Sequence, residues 1–196
     1  MSARSRLPRL RGPALALLAG AAIGLAHPPF GFLPGLLGLA VLLWQIDGAD
    51  AARPLRSAFL RGWLAGFAYF VVGTWWVGEA FFVDAAAHGW QAPFAVTLLP
   101  AGLGLFWGAA AAGYRLIAPR NSSRALVFAA VLSLAEWLRG HVLSGFPWDL
   151  IGEAWRAGSA PSQGAALVGA YGMTFITIAI LAAPGAAVSA RPKARA

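Results

Sequence analysis

Apolar positions in this chain fall into long runs, not into the alternation of strands or the one-sided stripe of soluble helices. Short charged islands separate the runs. Four of them, residues 62–83, 92–117, 125–143 and 164–187, each come close to the ~20 residues a helix needs to cross a ~30 Å hydrocarbon layer. Two earlier runs, 13–26 and 30–44, are shorter. Between them stands His27-Pro28-Pro29, which stops a helix because proline lacks the amide donor and clashes with the preceding turn. These two runs are either short spans with snorkelling ends or a re-entrant hairpin. The pattern predicts an all-α, polytopic transmembrane bundle of about six segments over residues 13–187. A basic N-terminus, 1–12, and a basic tail, 188–196, flank it.

Composition agrees. Hydrophobic residues make up 59% of the 196 and charged residues 11%, about half the charged share of a soluble domain. The net charge of +8 does not point to nucleic acid, because the basic residues cluster at the ends of apolar runs. The clusters are Arg4, Arg6, Arg9 and Arg11; Arg53, Arg56 and Arg61; Arg115, Arg120 and Arg124; and Arg191, Lys193 and Arg195. Two apolar runs separate each cluster from the next. Since Lys and Arg collect on the cytoplasmic side, both termini and the loops near residues 55 and 120 are predicted cytoplasmic. Loops 27–30, 84–91 and 144–162 are then outside. A cleaved signal peptide is an alternative for the start, with its basic n-region, apolar core and Gly24-Leu25-Ala26. The further apolar runs favour an uncleaved first helix. The chain has no cysteine, so no disulfide stabilises the outer loops.

Glycines recur inside the runs. Gly62/Gly66 and Gly104/Gly108 have the four-residue spacing that lets helix backbones approach in lipid, which is a packing role. The ionisable residues within spans invite a functional reading, because such groups are costly there. Glu136 and Arg139 are three apart, share a helix face and can pair. They serve either as an orienting ion pair or as a headgroup site in which the Arg139 fork holds a phosphate. Glu79 follows Trp75 and Trp76 by one turn. The tryptophans are interfacial anchors or the wall of a lipid-entry groove. Phe146, Pro147 and Trp148 form a stiff aromatic loop, with Phe146 held extended by the proline that follows it. A search for catalytic sets finds none. His27, His88 and His141 lack metal-ligand spacing, Ser144 has no triad framework, and no Gly-rich phosphate loop occurs. No metal or other cofactor is expected.

Several blocks, taken in order, carry a resemblance. They are Gly24-Leu25-Ala26-His27-Pro28-Pro29-Phe30-Gly31-Phe32, then Arg61-Gly62-Trp63, then Gly73-Thr74-Trp75-Trp76-Val77-Gly78-Glu79-Ala80. After these come the stretch from Glu136 through Arg139 and Gly145-Phe146-Pro147 to Trp148, and Gly169-Ala170-Tyr171-Gly172-Met173-Thr174-Phe175. Over roughly residues 15–185 the chain resembles the N-terminal membrane domain of the apolipoprotein N-acyltransferases. The resemblance implies a bacterial inner-membrane, multi-pass protein working on its periplasmic side. It implies a phospholipid acyl donor, an apolipoprotein acceptor and a thioester intermediate on a cysteine, activated by a lysine and a carboxylate in a nitrilase-like domain.

Here the chain departs from the family pattern. It has no cysteine, and its one lysine is Lys193 in the predicted cytoplasmic tail. No catalytic residue carries over. The expectation is a chain that looks truncated before the catalytic domain and is inactive alone. Trp75, Trp76, Glu79, Glu136, Arg139, Phe146, Pro147 and Trp148 would line a groove for lipid and substrate. Arg139→Ala in a complete relative is expected to weaken lipid use more than folding. The rival readings are a non-catalytic lipid-binding module or partner of a separate nitrilase-like subunit, and a small-molecule transporter with broken helices at the midplane.

Overall fold

The computed structural model describes residues 7–117, 119 and 123–189, all of whose regular structure is helical. Helix α1 covers Leu7–Gly24, and a 3-10 turn at Leu33–Leu37 leads into α2, Gly38–Asp47. Then follow α3 (Pro54–Gly73), a 3-10 segment (Trp75–Phe82), the single turn α4 (Ala85–His88) and α5 (Ala92–Ile117). Helix α6 spans Arg124–His141. After a short 3-10 turn, Ile151–Ala154, and the single turn α7 (Ala160–Gln163), α8 runs over Ala165–Ser189. The six longer helices close a ring in which α1 packs on α3, α3 on α5, α5 on α6, α6 on α8, α8 on α2 and α2 on α1. Tyr69, Phe70, Trp107, Tyr114 and Phe128 fill its core.

Among the described residues two helices are long and apolar enough to cross a membrane, and a third qualifies if α3 and the 3-10 segment after it count as one bent span. Helix α6 is not among them, because it carries Arg124, Glu136 and Arg139 within 18 residues. The expected uninterrupted run over 62–83 is corrected. The helix begins earlier, at Pro54, ends at Gly73, and continues as 3-10 structure bent by 47°. At the break the Thr74 hydroxyl donates to the Phe70 carbonyl at 2.7 Å, a side-chain contact that competes with helix continuation. Helix α6 likewise stops at His141, with Val142 extended. Helix α1 already begins at Leu7, inside the expected basic N-terminal segment, while residues 1–6 and 190–196 of the two flanking segments lie outside the described residues.

The glycine spacings have a direct physical reason. A Cβ added at Gly62 would sit 2.5 Å from the Trp107 carbonyl oxygen, and one at Gly66 only 3.0 Å from the Cα of Gly104. One at Gly104 would lie 2.9 Å from the Phe67 backbone nitrogen. The two motifs therefore face each other, and α3 and α5 touch backbone to backbone. That contact puts Tyr69, Phe70 and Trp107 side by side at one end of the ring.

Candidate functional site

The site is built on the loop after α6. Its backbone turns sharply through left-handed conformations at Leu143 (φ 60°), Gly145 (φ 70°) and Asp149 (φ 56°). For non-glycine residues such geometry costs on the order of 1–3 kcal/mol and persists only where the surroundings impose it. Here the surroundings are Arg139 and Tyr69. The Phe146 amide donates to the Arg139 carbonyl at 2.9 Å. One terminal nitrogen of the Arg139 guanidinium donates to the carbonyls of Phe146 and, at 2.9 Å, of Trp148. The Tyr69 hydroxyl donates to the Asp149 carbonyl at 2.6 Å. The loop is thus held at three carbonyls flanking Pro147, those of Phe146, Trp148 and Asp149, and the proline ring further limits its freedom.

Arg139 is itself fixed from below. Its other terminal nitrogen pairs with Glu136 at 2.5 Å, and the second Glu136 oxygen accepts from the Trp107 indole nitrogen at 2.6 Å. The Phe70 ring lies 4.8 Å beneath the guanidinium carbon, a cation–π distance. Glu136 and Arg139 are fully buried, at 0% and 1% exposure. The arginine fork is therefore filled by internal acceptors. The Arg139 Nε is buried without a partner.

His27 completes the network. Its Nε2 lies 2.8 Å from the Tyr69 hydroxyl. The tyrosine proton goes to the Asp149 carbonyl, which can only accept, so the tyrosine oxygen must accept from His27. The tautomer that satisfies both bonds carries its hydrogen on Nε2. Burial, with a smaller contribution from the Arg139 charge, pulls His27 down to about 4, and the ring is neutral at pH 7. Asp149 moves the other way, to about 6. Burial raises it, and the nearby Arg139 only partly opposes. One of its carboxylate oxygens is buried without a partner, against Gly73 at the end of α3.

The remaining expected groove residues keep their side chains outside this knot. Trp75, Trp76, Glu79, Pro147 and Trp148 are exposed, and Phe146 is half-buried. Trp76 and Trp148 meet edge to face at 5.9 Å. Glu79 makes no hydrogen bond or ion pair among the described residues, and the structure does not bring it to Arg139. On the flank of the same loop, an apolar groove of about 670 Å³ runs between α5 and the end of α6. Leu98, Gly102, Leu105 and Phe106 form one wall and Val142 and Leu143 part of the other, with Arg139 and Phe146 also on its surface. Its volume is in the ~300–1,000 Å³ range of small-molecule sites.

Sequence reasoning gave no role to Tyr69 or to Trp107, which lies inside the Gly104/Gly108 spacing. It gave His27 no partner, reading it as part of a helix stop, of a resemblance block and of three scattered histidines. Periodicity held the missing signal. Gly62, Gly66, Tyr69, Phe70 and Gly73 follow the 4-3-1-3 steps of one helix face, so the hydroxyl had to enter the same tight interface as the glycines. Of the other histidines, His88 pairs with Gln91 and His141 with the Trp137 carbonyl. Neither joins the knot.

Comparison with known proteins bears on this site. Residues 19–183 match the model of the apolipoprotein N-acyltransferase N-terminal domain. An apolipoprotein N-acyltransferase of Caulobacter vibrioides is 68% identical over 173 residues, covering 88% of this chain and 33% of that protein. One of Brucella melitensis is 44% identical over 176 residues, covering 86% of this chain and 33% of its own length. One of Allorhizobium ampelinum is 40% identical over 177, covering 87% and 34%. The chain spans about a third of the length of these curated relatives. Its apolar helices and these relatives together mark it as a membrane protein. A family match over most of the chain, carried by a helical bundle whose 142–149 loop is pinned by a buried arginine, places it in the apolipoprotein N-acyltransferase family, as that family's N-terminal domain.

Proposed function

We propose that the chain is the membrane part of an enzyme that moves an acyl chain from a phospholipid to the N-terminal diacylglyceryl-cysteine of a lipoprotein. In this reading it is an inner-membrane bundle of about six segments with cytoplasmic termini, and the 142–149 loop lies on the periplasmic side. The bundle admits the acyl donor sideways and presents it at that loop. The nucleophile is contributed by residues other than these 196, since acyl transfer through a thioester needs a cysteine and this sequence has none.

The observation that carries the reading is the rigid loop. Arg139 and Tyr69 fix the backbone of residues 146–149, which leaves Trp148 exposed beside Trp76 and next to an apolar groove. Exposed aromatics on a fixed backbone at a membrane interface suit a lipid-handling surface. The phosphate-gripping role for Arg139 gives way to a positioning role, because both ends of its fork are already occupied by the protein.

The absent cysteine favours a second reading, a non-catalytic lipid-binding module that partners a separate nitrilase-like subunit. A chimaera separates the two. This chain would replace the matching third of the Caulobacter relative and be assayed for N-acylation of a diacylated lipoprotein in phosphatidylethanolamine vesicles. Turnover close to that of the parent supports the enzyme reading. A folded, inserted but inactive chimaera, with activity restored by a separately added subunit, would replace it with the partner reading. The chain alone is expected to show no turnover.

A further inference from the structure

At the end of α3 opposite to Tyr69 the structure forms a second, chemically distinct cavity of about 710 Å³. Gly12 and Pro13 of α1, Asp50 in the α2–α3 connection, and Arg53, Arg56 and Arg61 with Leu60 and Leu64 surround it. Arg61 is threaded behind it. One terminal nitrogen donates to the Gln45 carbonyl at the end of α2, and a Cβ at Gly12 would lie 3.5 Å from the other. Arg53 and Arg56 are exposed. The ion pairs among the described residues are Arg124–Asp47 and Arg139–Glu136, so none of these three guanidinium groups is in contact with a carboxylate, and Asp50 acts on Arg61 only from a distance. Asp50, the acidic group of the cavity, accepts from the Ala52 amide at 3.0 Å, and its own amide donates to the Ser57 hydroxyl at 3.1 Å. The cavity therefore keeps a net positive charge. It also lies at the N-terminus of a 20-residue helix, with Pro54 in its first turn, where the helix dipole adds to the attraction for an anion.

We infer that this cavity binds the phosphate of a net-anionic phospholipid. Arg53, Arg56 and Arg61 would hold the phosphodiester through charge-assisted hydrogen bonds, and an acyl chain would lie along Leu60 and Leu64. The combination selects the class of ligand. Three guanidinium groups facing one carboxylate favour net negative charge over a zwitterionic headgroup. The leucine wall, with Leu60 42% exposed, favours a lipid over a free anion. The site is at the far end of α3 from the loop gripped by Arg139, and it stands whether or not the acyl-transfer reading does.

The test uses the full chain in phosphatidylcholine nanodiscs containing spin-labelled phosphatidylglycerol, with motional restriction of the label as readout. Wild type is expected to restrict phosphatidylglycerol more than an equally labelled phosphatidylcholine. Juxtamembrane basic residues contribute on the order of a fivefold preference each, so Arg53→Ala with Arg56→Ala should lower the preference more than tenfold. Both side chains are exposed, so the fold should survive, which circular dichroism checks. Arg156→Ala, in the loop after α6, should leave the preference unchanged, and excess inorganic phosphate should not displace the lipid. Equal restriction of the two lipids, a double variant that matches wild type, or displacement by inorganic phosphate would each overturn the inference.

Discussion

Arg139 and Phe146 bind each other twice: the Phe146 amide donates to the Arg139 carbonyl at 2.9 Å, and the Arg139 guanidinium donates to the Phe146 carbonyl. A side chain and a backbone seven residues apart thus close a ring around the end of α6. The ring explains how Leu143 can hold left-handed backbone without being glycine, and the bonds from Tyr69 and Arg139 to the Asp149 and Trp148 carbonyls do the same for Asp149.

The first prediction follows from what Arg139→Ala leaves behind. Glu136 would be a buried carboxylate without its counter-charge, and the Phe146 and Trp148 carbonyls would lose their donor. Breaking a buried ion pair from one side costs about 3–5 kcal/mol. Folding is therefore expected to suffer at least as much as lipid use, which reverses the order anticipated from sequence. Removing both charges, with Glu136→Gln and Arg139→Met, should recover part of the loss. Denaturation midpoints in mild detergent measure this. A single variant within about 1 kcal/mol of wild type would show that the pair is not stabilising the loop.

A second prediction concerns the contact between α3 and α5. Valine at Gly62 would drive carbon into the Trp107 backbone, which cannot move aside as a flexible side chain can. Overpacking of this kind typically costs 1–3 kcal/mol, occasionally more. The control is Gly102→Ala on α5, the other helix of the pair, where nothing lies within 4 Å of the new Cβ. That change should be neutral or stabilising by roughly 0.5–1 kcal/mol, since glycine is a poor helix former. Equal behaviour of the two variants would mean that the helices do not meet through these glycines.

The uneven legibility of the sequence has the same physical origin. Long apolar helices, glycine contacts and the Glu136–Arg139 pairing are local properties, fixed by run length and by three- and four-residue spacing. They could be read directly, as could the aromatic loop. Tyr69, His27 and Asp149 are 42 and 80 residues apart in the contacts that unite them, and no periodicity links a loop residue to a helix across the bundle. The break at Thr74 was hidden for a different reason. The residues after it, Trp75–Phe82, remain apolar, so hydropathy runs on through a bend that only the backbone reveals.

A third prediction uses the opposite displacements of His27 and Asp149. The folded state holds His27 at about 4, below its ordinary 6.5, so between those values the unfolded chain binds the extra proton and acidification lowers stability. Asp149 sits at about 6, above its ordinary 3.8, so over that window the folded chain binds the proton and acidification raises stability, a contribution lost as pH climbs through 6. The two effects oppose each other between about pH 4 and 6. Relative to wild type, Asp149→Asn should lose thermal stability on going from pH 6.5 to 4, and His27→Gln should gain it. Parallel melting profiles for all three proteins would sink this account.

The last prediction separates the lipid surface from the scaffold beneath it. Trp148 is 58% exposed, and its contact with Trp76 is one edge-to-face pair, so Trp148→Ala should cost at most about 1.5 kcal/mol of stability. Gly102 lines the open groove, where a Cβ would meet nothing within 4 Å, so leucine there would project into the groove. In the Caulobacter chimaera both changes should leave the folded protein abundant while lowering the rate of acyl transfer tenfold or more, about 1.4 kcal/mol in the barrier. The two should differ in character. The leucine should hurt long-chain donors more than short ones, because it shortens the groove, whereas the tryptophan change should hurt all donors alike. Donor-length profiles measured on the same preparations decide the matter. If Gly102→Leu shows full activity with every donor, the groove takes no part in handling the acyl chain, and the role of the site rests on the loop and its two tryptophans.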